Sequence, residues 1–110
     1  MAEPGEPISA AEILGLLRQR WQVSYDLQLV KRQDRIYLQV MWGHLEQQSF
    51  PLSPDDYAAK LADLVATLNG LGVAAQVREW LGSTRDRPRL GKALSLALQL
   101  PPGRASEFLL

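Results

Sequence analysis

Five basic side chains lie within fifteen residues in the last third of the chain, and they are the strongest chemical signal in the sequence. They are Arg78, Arg85, Arg87, Arg89 and Lys92. Arginine outnumbers lysine nine to three overall, and guanidinium groups form bidentate contacts with carboxylates and phosphates. The sequence therefore predicts an anion-binding surface in this segment. Three further basic residues could contribute to it: Lys31, Arg32 and Arg35.

The same segment also fits a solvated basic loop with no partner. It contains Pro88, which is typical of irregular structure, and an acidic helix beginning near Asp55 could balance its charge. Twelve Lys and Arg residues match twelve Asp and Glu residues, giving a net charge of zero. The chain as a whole is therefore not attracted to nucleic acid or anionic membrane. An electrostatic partner must be bound by a local patch.

His44 is the one side chain whose ordinary pKa lies near neutrality, so a general-base mechanism would use it first. No recognisable nucleophile motif lies beside it. The absence of cysteine excludes a disulfide framework, a thiolate nucleophile, an iron–sulfur site and the usual zinc site. Asp55 and Asp56 follow a serine cap, where the helix dipole already explains them. We expect no enzyme activity, no metal and no cofactor.

A phosphate-binding loop is excluded although Gly91 precedes Lys92. That motif requires a glycine where the chain has Asp86 and a hydroxyl residue where it has Ala93. The N-terminus is acidic and contains Pro4 and Pro7, unlike a secretory signal. No uncharged run reaches the roughly 18 residues that span a bilayer. We expect a cytoplasmic protein with no membrane span.

The first half of the chain predicts a helix followed by a β-hairpin. Ser9 and Glu12 have capping-box spacing before an apolar stripe, which predicts a helix over about 10–21. Residues 25–29 and 36–42 then alternate in hydropathy around a polar turn. A two-residue loop at 33–34 would pair Tyr25 with Trp42, Leu27 with Val40 and Leu29 with Leu38.

The second half predicts two helices and a third strand. Ser53 and Pro54 open a helix that residues 69–72 end, and a shorter helix then runs to Gly82. Residues 94–100 alternate as a strand closed by Pro101, before an apolar tail at 104–110. The predicted fold class is α+β: a two-layer domain, 9–110, with a three-stranded sheet packed on helices. Residues 1–8 are predicted to be a disordered tail.

The element order helix-strand-strand-helix-helix-strand resembles the type II K-homology arrangement, which binds single-stranded nucleic acid on a G-x-x-G loop. Residues 70–72 read Gly-Leu-Gly at the corresponding place, one residue short of that motif. Glycines there also fit a helix C-cap. Binding of single-stranded RNA or DNA is the second functional hypothesis.

Five longer segments resemble one small family of unknown function found in cyanobacteria and plant plastids. They cover residues 25–29, 36–42, 45–52, 87–93 and 104–110. The resemblance implies an oxygenic phototroph as the source and a cytoplasmic or stromal location; it implies no activity and no catalytic residues. Our functional expectation therefore comes from the basic residues: a non-enzymatic interaction or assembly module that docks an acidic protein surface.

Overall fold

The computed structural model describes residues 6–100 of the chain, so the expectations for residues 1–5 and 101–110 lie outside it. In chain order the elements are α1 (Ala10–Trp21), β1 (Tyr25–Arg32), β2 (Arg35–His44), α2 (Pro54–Leu71), α3 (Ala74–Ser83) and β3 (Leu94–Ala97). The strands form one antiparallel sheet in the order β1-β2-β3. The predicted α+β class and element order are confirmed.

One face of the sheet packs against the helices because its apolar side chains share one parity. Leu27, Leu38 and Val40 are buried on that face, and they belong to one apolar cluster with Leu17 of α1 and Leu68 of α2. Burying each such side chain contributes roughly 1.5–3 kcal/mol. The sheet and the helices are therefore two layers around a single core.

The opposite face of the sheet carries a polar ladder that crosses all three strands. Gln28 Nε2 donates to Gln39 Oε1 at 2.9 Å, and Gln39 Nε2 donates to Ser95 Oγ at 3.2 Å. Gln28 and Gln39 are partly exposed, while Ser95 is exposed. The hydrogen-bonding groups of these three side chains therefore satisfy one another within the protein.

The helices begin and end where their capping residues predict. Ser9 Oγ accepts a hydrogen bond from the Glu12 amide at 3.0 Å, and Ser53 Oγ accepts one from the Asp56 amide at 3.1 Å. Pro54 is the first residue of α2, where its missing N–H costs nothing. Gly72 ends α2 with a φ of 77°, a left-handed conformation that glycine adopts without strain.

The hairpin has the predicted turn, and most of its predicted register is confirmed. Arg32 faces Arg35 across a two-residue loop, and Leu27 faces Val40 as expected. The predicted pairing of Tyr25 with Trp42 is wrong, since Tyr25 lies opposite His44. The register shifts between Tyr25 and Leu27; such an irregularity re-aims side chains at a strand end. Trp42 is consequently 40% exposed.

Two boundaries also differ from the sequence prediction. Ile8, placed in the disordered tail, is only 2% exposed. Its amide donates to Asn69 Oδ1, and its carbonyl accepts from Asn69 Nδ2, each at 2.9 Å. The packed chain thus begins at or before Ile8. The third strand ends at Ala97 instead of continuing to residue 100, although the Leu98 amide still donates to the Ile36 carbonyl.

Within residues 6–100, no single helix is both long enough and apolar enough to cross a bilayer. Taken together, α2 and α3 reach such a length and composition, but they are joined at a bend of 118°.

Gln22 caps the C-terminus of α1 with a φ of 64°, where glycine is the preferred residue. We expect Gln22→Gly to stabilise the fold by about 0.5–1 kcal/mol, because the left-handed conformation costs a residue with a Cβ about 1–2 kcal/mol. Gln19→Gly, three residues earlier inside the same helix, should destabilise by about 1 kcal/mol. Urea unfolding measures both, and destabilisation by Gln22→Gly would contradict the assigned cap.

Candidate functional site

The segment that joins α3 to β3, residues 84–93, holds most of the predicted binding residues, and we call it the arginine loop. Two contacts fix its backbone to the core. Trp21 Nε1 donates a hydrogen bond to the Asp86 carbonyl at 3.0 Å, and the Pro88 side chain is fully buried. The loop is therefore held at its centre, although it belongs to no helix or sheet strand.

A tight turn forms the tip of the arginine loop. The backbones of Arg89 and Lys92 exchange hydrogen bonds of 2.9 and 2.8 Å. Gly91 has a φ of 77°, which the second central residue of a type II turn requires. Leu90 lies at the first central position and is 82% exposed. The tip therefore presents an apolar side chain between two basic residues.

The four predicted basic residues of the loop lie around one groove of about 500 Å³. Its lining residues are Arg85, Asp86, Arg87, Arg89, Lys92, Ala93 and Leu94. All four basic side chains are exposed. Within residues 6–100 these four side chains make no hydrogen bond and no ion pair. Asp86 is the one acidic residue in this lining, and because the four cations form no ion pair in that part of the chain, they are open to an anionic ligand.

Arg78, which the sequence groups with these residues, has a structural role instead. Its Nε lies 2.5 Å from Glu12 Oε2, so it joins α3 to α1. The hydrogen bond from Arg78 lowers the pKa of Glu12 against the opposing effect of desolvation, and the same bond raises the pKa of Arg78. This guanidinium is therefore committed to Glu12.

The other basic residues, Lys31, Arg32 and Arg35, lie at the hairpin turn and not at the arginine loop. Arg32 and Arg35 line a separate groove of about 350 Å³ with Tyr37. Val40 of β2 faces Leu94, the first residue of β3. Arg35 lies five positions before Val40 on β2, which is about 17 Å of strand. The structure does not bring the two basic groups together.

Trp21, which bonds the arginine loop, is the first of a row of packed rings. The rings of Trp21 and Tyr25 meet edge to face at 5.6 Å, and those of Tyr25 and His44 meet at 5.8 Å. The Tyr57 hydroxyl donates to the Tyr25 carbonyl at 2.9 Å. Burial, with the nearby charges of Asp26 and Glu46, raises the pKa of Tyr57 to about 12, so this hydroxyl stays a donor at any physiological pH.

His44 lies beside Ser24 and Glu46, a set of residue types that can form a catalytic triad. The geometry is different here. Ser24 is fully buried, and its hydroxyl donates to Glu46 Oε2 at 2.8 Å while accepting from Arg18 Nε at 3.0 Å. The serine proton thus points at the carboxylate, and His44 has no access to it. This arrangement lacks the base-to-nucleophile contact that a triad needs.

The Glu46 carboxylate ties the loop after β2 to the start of β1. It accepts from the Ser24 amide at 2.7 Å as well as from the Ser24 hydroxyl. Desolvation opposes ionisation, but these hydrogen bonds and the Arg18 charge outweigh it and lower the pKa of Glu46. His44 Nδ1 lies 3.5 Å from Glu46 Oε1, and it is buried with no hydrogen-bond partner among the described residues. We read this cluster as structural.

The predicted helix dipole role of Asp55 and Asp56 fits their exposed positions in the first turn of α2. Among residues 6–100, no three His, Cys, Asp or Glu side chains are grouped closely enough to hold a metal ion. Neither aspartate forms an ion pair with the arginine loop in the described residues. The acidic helix start therefore does not supply the loop's counterions by direct contact.

The K-homology hypothesis gains no support from the helix junction. Gly70 and Leu71 are the last residues of α2, and Leu71 is fully buried. Gly72 is the C-cap, with its amide bonded back to Asn69 and Leu68. The glycines thus end a helix, and residues 70–72 form no exposed loop that could clamp a nucleic-acid backbone.

Sequence reasoning missed Leu90 and the edge of β3 that borders the groove. A signal for the first was present, because Leu90 precedes Gly91 and lies between basic residues, a pattern typical of a type II turn that exposes its first central residue. The second carried no sequence signal, since strand order in the sheet depends on tertiary packing.

The fold and the loop together define a small two-layer α+β domain with a basic, groove-lining loop at one end of its sheet. The family model for the domain of unknown function DUF3067 matches residues 11–109, and the chain belongs to that family. The resemblance inferred from the sequence is thereby confirmed.

One solved structure shows the same fold at high similarity. It is the solution NMR structure of the Alr2454 protein from Nostoc sp. strain PCC 7120, a cyanobacterium. The two chains are 43% identical with a TM-score of 0.82, and the match covers 94% of this chain and 98% of that one. No curated protein matches the chain. Neither the family description nor the name of the Nostoc protein states an activity.

The Glu46 cluster makes fold stability depend on pH. Because the pKa of Glu46 is lower in the fold than its ordinary value of 4.5, its contribution is present above pH 4.5 and is lost as the pH falls through the lowered value. Glu46→Gln should therefore cost about 1 kcal/mol at pH 7, and less at pH 3. Glu79→Gln, at an exposed position of α3, is the matched control. Urea titrations at both pH values test this, and an equal cost at both would contradict it.

Proposed function

We propose that this protein is a non-enzymatic binding module that docks an acidic surface of a partner protein through the arginine loop. The observation that supports this most is the set of four exposed cations that line one groove and form no ion pair within residues 6–100. We place this activity in the cytoplasm of an oxygenic phototroph, or in the stroma for plastid relatives.

The fixed backbone of the loop favours binding over simple solvation. The Trp21 hydrogen bond and the buried Pro88 hold the loop in place, so little backbone entropy remains to be lost when a partner binds. Guanidinium groups are more weakly hydrated than ammonium groups and can form two parallel bonds to a carboxylate. The loop therefore offers anions several donors on a backbone that is already held in place.

Three features favour a protein partner over nucleic acid. Because its net charge is zero, the protein as a whole lacks the long-range positive field that attracts proteins to polyphosphates. Asp86 lines the groove beside the arginines, and among residues 6–100 no aromatic side chain lines it for base stacking. Exposed Leu90 at the tip of the loop supplies an apolar contact of the kind found in the buried centre of protein interfaces.

The non-enzymatic part of the proposal rests on the residues that could have done chemistry. Ser24 is buried and donates to Glu46, and His44 packs its ring against Tyr25. The Ser24 proton is committed to Glu46, and His44 makes no hydrogen bond to Ser24 that could activate it. Single-stranded nucleic acid binding stays the second candidate because the same cations could contact phosphates.

The test is affinity capture from a cyanobacterial lysate, with wild type beside Arg87→Glu/Arg89→Glu, followed by quantitative mass spectrometry. We expect a protein captured by wild type to fall at least about tenfold with the double variant, because like charges then face the acidic surface. Arg32→Glu/Arg35→Glu makes the same change in net charge at the hairpin end of β2, and we expect it to retain most of the capture.

Equal capture by wild type and the loop variant would remove the arginine loop from the function. Equal losses with both variants would show that net charge, and not the loop, decides binding. Binding of a single-stranded RNA oligonucleotide at low salt, lost with the loop variant and steeply weakened by added salt, would replace the protein partner with nucleic acid.

A further inference from the structure

β3 lies at one edge of the sheet, next to the arginine loop. The sheet order β1-β2-β3 leaves β3 with one neighbouring strand, β2, among the described residues. The edge of a sheet presents backbone N–H and C=O groups that can pair with another chain. Many edges are protected by bulges, charged side chains or covering elements.

One hydrogen bond shows which residues of β3 face outward. The Leu98 amide donates to the Ile36 carbonyl at 3.0 Å, so Leu98 directs its backbone groups at β2. Backbone direction alternates along an antiparallel strand. Ser95 and Ala97, which lie opposite Gln39 and Tyr37, therefore direct their N–H and C=O groups away from β2.

Gln76 of α3 bonds the backbone at one end of this edge. Its Nε2 donates to the Gln99 carbonyl at 2.6 Å, and its Oε1 accepts from the Gln99 amide at 2.8 Å. A side-chain amide here replaces the two backbone bonds that a neighbouring strand would make. Gln99 is thus satisfied, and the stretch of the edge that no described residue bonds lies between it and the arginine loop; we call it the free edge.

The groove of the arginine loop continues into this free edge. Ala93 and Leu94 line the groove together with the basic side chains, and Leu94 is the first residue of β3. Ser95 is three residues from Lys92, or about 10 Å of extended chain. A single extended segment can therefore contact the edge and the cations at once.

We propose that an acidic, extended segment of the partner protein adds to the free edge of β3 as a fourth strand, with carboxylates of the same segment on the arginine loop. This inference rests on the proposed function and adds the form of the ligand to it. Main-chain bonds to Ser95 and Ala97 would hold the segment, and carboxylates about three residues beyond the paired stretch would bind the cations.

The other edge of the sheet is less suited to this role. The Tyr57 hydroxyl already occupies the Tyr25 carbonyl, and Lys60 of α2 binds both carboxylate oxygens of Asp26 at 2.8 and 2.9 Å. The start of β1 is thus covered by α2. The open face of the sheet is also less suited, because its Gln28–Gln39–Ser95 ladder is already hydrogen-bonded within itself.

The experiment uses a synthetic seven-residue peptide, Val-Thr-Val-Thr-Glu-Asp-Glu, whose acidic end would reach the arginine loop when it pairs antiparallel to β3. A second peptide of the same sequence carries N-methyl groups on the backbone amides that would donate to β3. We expect the unmodified peptide to bind, and N-methylation to weaken its binding at least about tenfold, since each lost bond is worth about 1 kcal/mol. Amide NMR signals of Ser95 and Ala97 should shift on binding.

Two protein variants separate the edge from the charges. Ala97→Pro removes an outward N–H that β2 does not use, and proline is tolerated on edge strands in that orientation; Ala97→Val is its control. We expect the proline variant to bind the unmodified peptide about fivefold more weakly than the valine variant, since one hydrogen bond is lost. We expect Arg87→Glu/Arg89→Glu to weaken binding of the unmodified peptide as well.

Equal binding of the two peptides, or shifts at Leu27 and Leu29 of β1 in place of Ser95 and Ala97, would overturn strand addition at β3. Loss of binding with the charge reversal alone would then leave the proposed function standing. A dissociation constant above about 1 mM for the unmodified peptide would also overturn strand addition, while capture from the lysate decides the proposed function separately.

Discussion

The hydrogen bond from Trp21 to the Asp86 carbonyl is the contact on which the position of the arginine loop depends. Trp21 is the last residue of α1, its indole ring is buried against Tyr25, and its one polar atom reaches the centre of the arginine loop. A buried indole N–H needs an acceptor, and the loop carbonyl supplies it. The core and the loop thus satisfy each other. Together with the buried Pro88, this contact holds the backbone that carries the four cations.

Holding four cations around one groove is unfavourable unless an anion is present. The described residues provide no ion pair for these side chains, and at physiological salt charges within about 8 Å of one another still interact. The protein nevertheless keeps a net charge of zero, because all of its acidic residues except Asp86 lie outside the arginine loop. Such a separation of charge gives one end of the molecule a local field that favours acidic partners, and bound carboxylates would relieve the repulsion.

Local sequence signals predicted most of the helices and the hairpin, because caps and alternation act over a few residues. Ser9, Ser53 and Gly72 each do what their types predict. The pairing of Tyr25 failed because a bulge depends on how the end of β2 packs, which alternation does not encode. The arginine cluster was visible in composition, but its separation from Arg32 and Arg35 needed the register of β2 and β3. The Ser24–Glu46 contact joins residues 22 apart and has no local signal.

We propose that the arginine loop contacts an acidic segment of another protein in the cell. Site-specific photo-crosslinking measures this most directly, with a photoreactive amino acid in place of Leu90 in living cyanobacterial cells and, for comparison, in place of Gln33 at the hairpin turn. We expect a protein to be crosslinked from position 90 and not from position 33, and we expect the crosslinked peptide to come from an acidic, extended segment of that protein. Crosslinks to RNA, or the same products from both positions, would contradict it.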